Sequence, residues 1–341
     1  MKGLLSLFAV AAAMSAAIPA QAQDGAAVFR RVGTWTVDYG EDYCRLIRTF
    51  SDGKHKFSLA LERLQPGTAV RLIVVGEVVR PLGRGPYRSW RGPSRGGAGS
   101  IGYAFGPGGS SGEARYVVSE TAEGETFISL DPIMLVASPT PDTSATYDRA
   151  AEEAAARGVT GFTLSEGLVS PVRVETGSLG EPVEALQVCA DNLLTAWGLD
   201  AAKHMTMTAP PILNPSPYGV LPAGTISYND LRKLGGGVNQ VRLMVGADGK
   251  VTGCAIHAPS LSRSRSARIC ALATERASFE PARDSAGQAM ASVWTGSPLD
   301  LGPAPSLASR GFLPGSSAIG PAFGLADPPS QAAPLSGVPG R

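Results

Sequence analysis

The chain has 341 residues, 43% of them apolar, and a formal net charge of +1. That length points to one or two domains with real cores, and the near-neutral charge excludes the basic excess of a nucleic-acid binder. The 42 glycines and 27 prolines imply long irregular segments beside those cores.

Residues 1–22 read as a cleavable export signal: Lys2 is the positive end, Leu4 to Ile18 form the apolar stretch, and Pro19-Ala20-Gln21-Ala22 gives an A-x-A site. Cleavage between Ala22 and Gln23 is expected, which places the protein in the periplasm of a Gram-negative bacterium; the alternative is an uncleaved anchor helix. Later apolar runs, such as Leu72–Val79 and Ile133–Ala137, have only strand length, so no integral membrane span is expected after cleavage.

The first domain is expected over residues 23–206. Trp35-Thr36-Val37, Cys44–Phe50, Phe57–Leu61 and Val70–Val79 have strand chemistry, with Ser51-Asp52-Gly53-Lys54 as a turn, and they read as an antiparallel meander. Residues 82–114 are rich in glycine, serine and arginine and read as a mobile inserted loop. Arg80, Arg84, Arg88, Arg91 and Arg95, interleaved with Tyr87 and Trp90, suit either a solvated loop or contact with anionic envelope material. Strands resume at Tyr116–Val118, Thr126–Leu130, Val159–Leu164 and Val172–Glu175. Helices are expected at Ala145–Arg157, capped by Thr143 or Ser144, and at about Glu181–Trp197, where Val183, Leu186, Cys189, Leu193 and Trp197 share one face.

Residues 207–223 are proline-rich and read as a linker, 224–301 as a small second domain, and 302–341 as a disordered tail with too little apolar bulk to offset chain entropy. Within the second domain, Val238–Val245 and Val251–His257 flank an Asp248-Gly249 turn, Ser264–Ala277 is helical, and Ala289–Thr295 is a last strand. The fold class expected is therefore α+β: a β-rich N-terminal domain with two helices, then a small α+β unit of hairpin, helix and strand.

The second domain carries a pattern of Gly237, the alternating Val241, Leu243 and Val245, the Asp248-Gly249 turn, Val251-Thr252 with Cys254, and Cys270 with Arg276. Phe279-x-Pro281-Ala282, Asp284-x-x-Gly287 and Trp294 complete it. This pattern, across residues 237–294, resembles the TonB C-terminal domain. It departs at Tyr228-Asn229, where the family often has Tyr-Pro, and at Ala258-Pro259-Ser260 and Ser266-Ala267 before and within the helix. The resemblance implies peptide capture by strand addition at a sheet edge. By that analogy the edge is Met290, Ala291, Ser292, Val293, Trp294 and Thr295. An envelope protein or peptide is the implied partner, and a homodimer is a further expectation.

Four cysteines, Cys44, Cys189, Cys254 and Cys270, follow the signal, and an even number in an oxidising space suggests disulfides. Four cysteines allow three connectivities; Cys44–Cys189 and Cys254–Cys270 are favoured because each pair lies within one expected domain, against the alternative of buried free thiols.

No catalytic, metal or cofactor set stands out. Gly108-Gly109-Ser110-Ser111-Gly112 matches G-x-S-x-G but lacks the strand and helix of a nucleophile elbow, and Gly97 to Gly102 matches G-x-G-x-x-G without the strand and helix of a dinucleotide site. Cys254 and His257 have C-x-x-H spacing, but residues three apart on a strand point to opposite faces, so a disulfide with an exposed histidine is expected. The function expected is a non-enzymatic periplasmic binding or scaffold protein. The alternatives are a periplasmic hydrolase with its site in the N-terminal domain, and an anchored TonB-type transducer if residues 1–22 stay attached.

Overall fold

A computed structural model describes residues 26–302, apart from 68, 83–99, 122, 136–147, 215, 217, 228–229, 231–233 and 235–236. The Ala22–Gln23 cleavage site, the arginine-rich stretch 83–99 and the tail 303–341 lie outside the described residues.

Ten strands precede or interleave with the first helices: β1 (Ala27–Tyr39), β2 (Cys44–Ser51), β3 (Lys56–Arg63), β4 (Ala69–Val75), β5 (Ser100–Gly106), β6 (Ser111–Glu120), β7 (Thr126–Leu130), β8 (Ile133–Met134), β9 (Gly161–Leu164) and β10 (Val172–Glu175). Nine of them close in the order β3-β2-β1-β10-β9-β5-β6-β7-β4, with β4 pairing back to β3. The β1–β10 contact is parallel and the others are antiparallel, so the barrel is mixed. The short β8 adds to β4 outside the ring.

Local chemistry explains the pieces. At the β2–β3 turn, Asp52 Oδ1 accepts from the backbone N–H groups of Lys54 (2.8 Å) and His55 (2.7 Å), and Gly53 takes the φ of +95° that the turn needs. Along each strand alternate residues point inward, and the registers set Leu46 beside Leu61 and Leu72 in one row and Leu59 beside Val74 and Ile128 in another, each at most 1% exposed. A ring of this size is filled by its own side chains. Phe57 anchors the packing, with ring centroids 5.1 Å from Phe29 and 5.8 Å from Phe50.

Helices α1 (Arg149–Gly158) and α2 (Gly180–Ala196) pack on each other, and α2 packs on β1 and β2. Asp148 caps α1 by accepting from Ala151 N–H at 3.0 Å. Arg63 at the end of β3 reaches Glu152 of α1 at 2.6 Å, and Gln187 of α2 donates to the same carboxylate at 3.0 Å, so a buried charge pair joins barrel and helices. The Cys44–Cys189 disulfide ties β2 to α2. A short helix, α3 (Ala201–Met205), follows, capped by Asp200.

The C-terminal part holds β11 (Ile212–Leu213), β12 (Gln240–Val245), β13 (Val251–His257), α4 (Arg263–Arg276), β14 (Phe279–Glu280), β15 (Ala282–Arg283), β16 (Ala289–Met290) and β17 (Ser292–Gly296). Its main sheet has the order β13-β12-β17. Helix α4 lies on one face, where Ile269 and Ala273 meet Val241, Leu243 and Val245 and where Cys254–Cys270 joins β13 to α4. All four cysteines are thus paired, and among the described residues no helix is long and apolar enough to cross a membrane.

Three expectations are corrected. The α+β class, a β-rich N-terminal domain with two helices followed by a small TonB-like α+β domain, is overturned by the closed mixed barrel: the fold is β-rich, with few helices. A meander reading pairs only sequence neighbours, whereas closure depends on the distant β1–β10 and β4–β7 contacts. Second, residues 100–114 of the expected loop 82–114 form the β5–β6 hairpin, because alternating Ile101, Tyr103 and Phe105 outweigh the surrounding glycines. Third, the segment read as a linker is strapped down: Ile212 and Leu213 pair with Glu280 and Phe279, Arg283 N–H donates to Ala209 O at 2.9 Å, and Val220 and Leu221 enter the second core.

Candidate functional site

The face of the β13-β12-β17 sheet away from α4 carries Arg242 on β12 and His257 at the end of β13, and both meet the barrel. Glu62 of β3 is the centre of the contact, with its side chain fully buried. Its Oε2 accepts from Arg45 Nε (2.9 Å) and Nη2 (2.5 Å). Its Oε1 accepts from His257 Nε2 at 3.0 Å and pairs with Arg71 Nη2. The carboxylate can only accept, so His257 Nε2 carries the hydrogen in this network. Arg71 Nη1 also donates to Gly237 O at 3.1 Å.

Burial alone raises the Glu62 carboxyl, but the His257 hydrogen bond and the charges of Arg71 and Arg45 outweigh it and hold the group at about 2. Tyr43 stacks edge-on to His257 with centroids 5.6 Å apart, and the Arg45 guanidinium lies 4.1 Å from the Tyr43 ring centre. A second clasp sits beside the first: Arg242 Nη1 reaches Asp42 at 2.8 Å while its guanidinium lies 4.0 Å from the Trp197 ring centre, and Trp197 Nε1 donates to Glu41 O at 3.2 Å. The cavity among Asp42, Leu64, Gln240, Arg242 and His257 has a volume of about 10 Å³, room for one water at most. This junction docks one part of the chain on another and holds no ligand-sized space.

The expected edge residues are spread over two elements. Met290 pairs with Ala282 in the β15–β16 hairpin, and Ala291 is exposed between the strands. Ser292 to Gly296 form β17, which pairs with β12 from Val245↔Ser292 to Val241↔Gly296. β17 is an outer strand, and no backbone hydrogen bond joins its far side to another described segment. Ser292 and Val293 are buried, and Trp294 and Thr295 half-buried, with Trp294 packed 5.9 Å from Phe279. The opposite outer strand, β13, has a neighbour at its start, where Lys250 bridges to Ser278 and Gly249 O accepts from Phe279 N–H at 2.9 Å.

One serine–histidine contact emerges that spacing did not suggest. His204 Nδ1 lies 2.8 Å from Asp200 O, so that nitrogen donates, and Nε2 accepts from Ser292 Oγ at 3.0 Å. Burial lowers the His204 pKa, against the pull of the Asp200 carbonyl and charge. Ser292 is 1% exposed, so the pair ties α3 to β17 and offers no hydroxyl to a substrate. Ser110 of the G-x-S-x-G match sits in the β5–β6 turn, donating to Met134 O. A broad depression of about 330 Å³ on the barrel wall beside Tyr103 holds Glu113 and Glu166; Glu113 accepts from Ser100 at 2.6 Å.

His257 differs from the sequence reading: it is 7% exposed, with Cys254 turned to α4 and His257 to the barrel. The residues that reasoning from spacing missed are Glu62, Arg71 and Arg45. For Glu62 and Arg71 the signal was present as charges inside otherwise apolar strand runs, Phe57 to Arg63 and Ala69 to Val75, which burial tolerates only when the charges are paired. No protein-family model, curated protein or solved structure matches the chain.

Proposed function

We propose that this is a periplasmic, non-enzymatic binding or scaffold protein whose C-terminal sheet takes up an extended segment of an envelope protein along β17. One observation carries the reading: β17 is a five-residue outer strand with no backbone partner on its far side among the described residues. Unpaired N–H and C=O groups on such an edge are a template for an added strand. The TonB-type sequence pattern of residues 237–294 supports the same mode, and the signal-like N-terminus with two disulfides suits an oxidising compartment. The usable edge in this reading is Ser292–Gly296, shorter than Met290–Thr295 at its start because Met290 is already paired.

The barrel then serves as a fixed seat. Glu62, Arg71 and Asp42 hold the inner face of the sheet, so the outer strand is presented without a mobile spacer.

The test places a photo-crosslinking side chain at Thr295 of the full-length protein in its own cell envelope, with Val188 on the exposed side of α2 as control. The expected result is a Thr295-specific adduct, and a synthetic copy of the captured segment that slows amide exchange in β17. Equal adducts from Val188, or no protection of β17, would sink the reading. N-terminal sequencing accompanies it: a start at Gln23 is expected, whereas an intact Met1 would favour an anchored transducer.

A further inference from the structure

β1 is 13 residues long, yet β10 pairs only with its first four, Ala27 to Arg30. β2 follows the other side as far as Tyr39. From Arg31 onward β1 therefore has a side on which no described segment makes a backbone hydrogen bond. Arg31, Val32, Gly33, Thr34 and Thr36 are all exposed there, Val32 at 42%.

The middle of this free side is a bulge. Val32 pairs with Thr49 and Thr36 with Ile47, so Gly33, Thr34 and Trp35 stand opposite Arg48 alone. Gly33 adopts φ of +68°, with open space where a Cβ would point. Arg48 folds back to donate to Gly33 O, with its guanidinium 5.7 Å from the Trp35 ring centre. Arg31 lies against Gly177, where a Cβ would run into its Nη1, in the gap left as β10 ends.

The patch is rich in donors and poor in acceptors. Neither Arg31 nor Arg48 has a carboxylate partner among the described residues, although the buried Arg63 and Arg71 each have one. The two arginines repel one another, and burial followed by Arg31 lowers the Arg48 pKa. Trp35 Nε1 and Arg48 Nε are buried donors with no acceptor. Bulges and charges also guard edges against self-association, but this patch joins unpaired buried N–H groups to two arginines without a carboxylate partner among the described residues, whereas Arg71, with its own unpaired Nε, has Glu62.

We propose that the bulged edge of β1 is a docking site for an extended peptide carrying a carboxylate, which adds a strand beside Arg31–Thr36 and sets its carboxylate between Arg31 and Arg48. Backbone pairing would supply register, and the arginine pair the preference for acid. The two longest segments outside the described residues that follow β1 are poor complements: residues 83–99 hold four arginines and no acid, and residues 303–341 hold Asp327 against Arg310 and Arg341. The site is separate from β17, so neither proposal depends on the other.

The test uses the full mature chain and two synthetic octapeptides of alternating threonine and valine, one with two glutamates and one with two lysines at the same places. The glutamate peptide is expected to move the Trp35 indole N–H and the Arg31–Thr36 amides in NMR spectra. The R31E variant changes an exposed side chain; it is expected to weaken that binding at least about tenfold and to gain binding of the lysine peptide. A V188K variant, on the exposed side of α2, is expected to leave the binding unchanged, and unmoved amides across Ser292–Gly296 keep this result distinct from failure at β17. Equal binding of both peptides, shifts confined to other strands, or an unaffected R31E protein would overturn the proposal. So would a Trp35 indole shift caused by deletion of residues 303–341 alone, because the chain's own tail would then be the occupant.

Discussion

Glu62 and His257 lie 195 positions apart and meet across a 3.0 Å hydrogen bond at a carboxylate that no solvent reaches. Around that bond the barrel and the C-terminal sheet share one buried polar cluster. Such a cluster is costly to leave half-made, which makes the junction sensitive to the loss of any one member.

Acid should loosen this junction. The folded Glu62 pKa of about 2 lies below its ordinary value of 4.5, so the group's stabilisation is fully present above pH 4.5 and is lost as pH falls toward 2. The shift corresponds to about 3 kcal/mol. Denaturant titrations between pH 6 and about pH 2 should show that loss, and Glu62→Gln should flatten it. The variant should itself cost roughly 3–5 kcal/mol, since Arg71 and Arg45 lose their shared counter-charge. An unchanged pH slope in the variant would remove Glu62 from this role.

Gly237 should not tolerate alanine. Its φ is +69°, and an added Cβ would run into Arg71 Cδ. Backbone strain of about 1 kcal/mol adds to displacement of Arg71 from Gly237 O and Glu62, so Gly237→Ala should cost on the order of 2–3 kcal/mol. Gly53→Ala, with open space around it, should show the backbone part alone. Equal losses for the two variants by thermal unfolding would contradict the packing argument.

The disulfides should differ in worth. Cys44–Cys189 closes a separation of 145 residues and Cys254–Cys270 one of 16. Chain-entropy estimates give about 5 and about 3 kcal/mol. Paired Cys→Ala variants compared by equilibrium unfolding should follow that order.

Arg242→Ala should release Trp197. The change removes the guanidinium stacked on the ring and the Asp42 pair, for a loss of roughly 1–2 kcal/mol. The change in Trp197 emission, assigned by comparison with Trp197→Phe, would report it; an emission spectrum that does not move would argue against the stack.

Much of the local structure was legible because periodicity acts locally. The α2 stripe from Val183 to Leu194 and the β12–β13 hairpin around Asp248-Gly249 could be read from neighbours alone. Barrel closure could not, because β1 finds β10 only after the intervening chain has folded back, and nothing in Ala27–Arg30 names Val172–Glu175. The β5–β6 hairpin hid behind glycines that strands usually avoid. The strap at Ile212–Leu213 hid behind prolines, which can sit beside a two-residue strand without breaking its pairing. His257 looked solvent-facing because its partner Glu62 belongs to a distant strand. Non-local contacts of this kind carry the candidate site and leave only a mismatch, charge within apolar runs, as their trace.

The pairing of the cysteines also bears on how the chain can be oxidised. In order along the chain the thiols are Cys44, Cys189, Cys254 and Cys270, and the bonds join first to second and third to fourth. For a polypeptide that emerges N-terminus first into an oxidising space, an oxidant that joins each new thiol to the one still waiting yields the native set directly. That route needs no disulfide reshuffling step. The long wait falls on Cys44 alone, whose partner arrives on α2 only after the last barrel strand, β10, has come through.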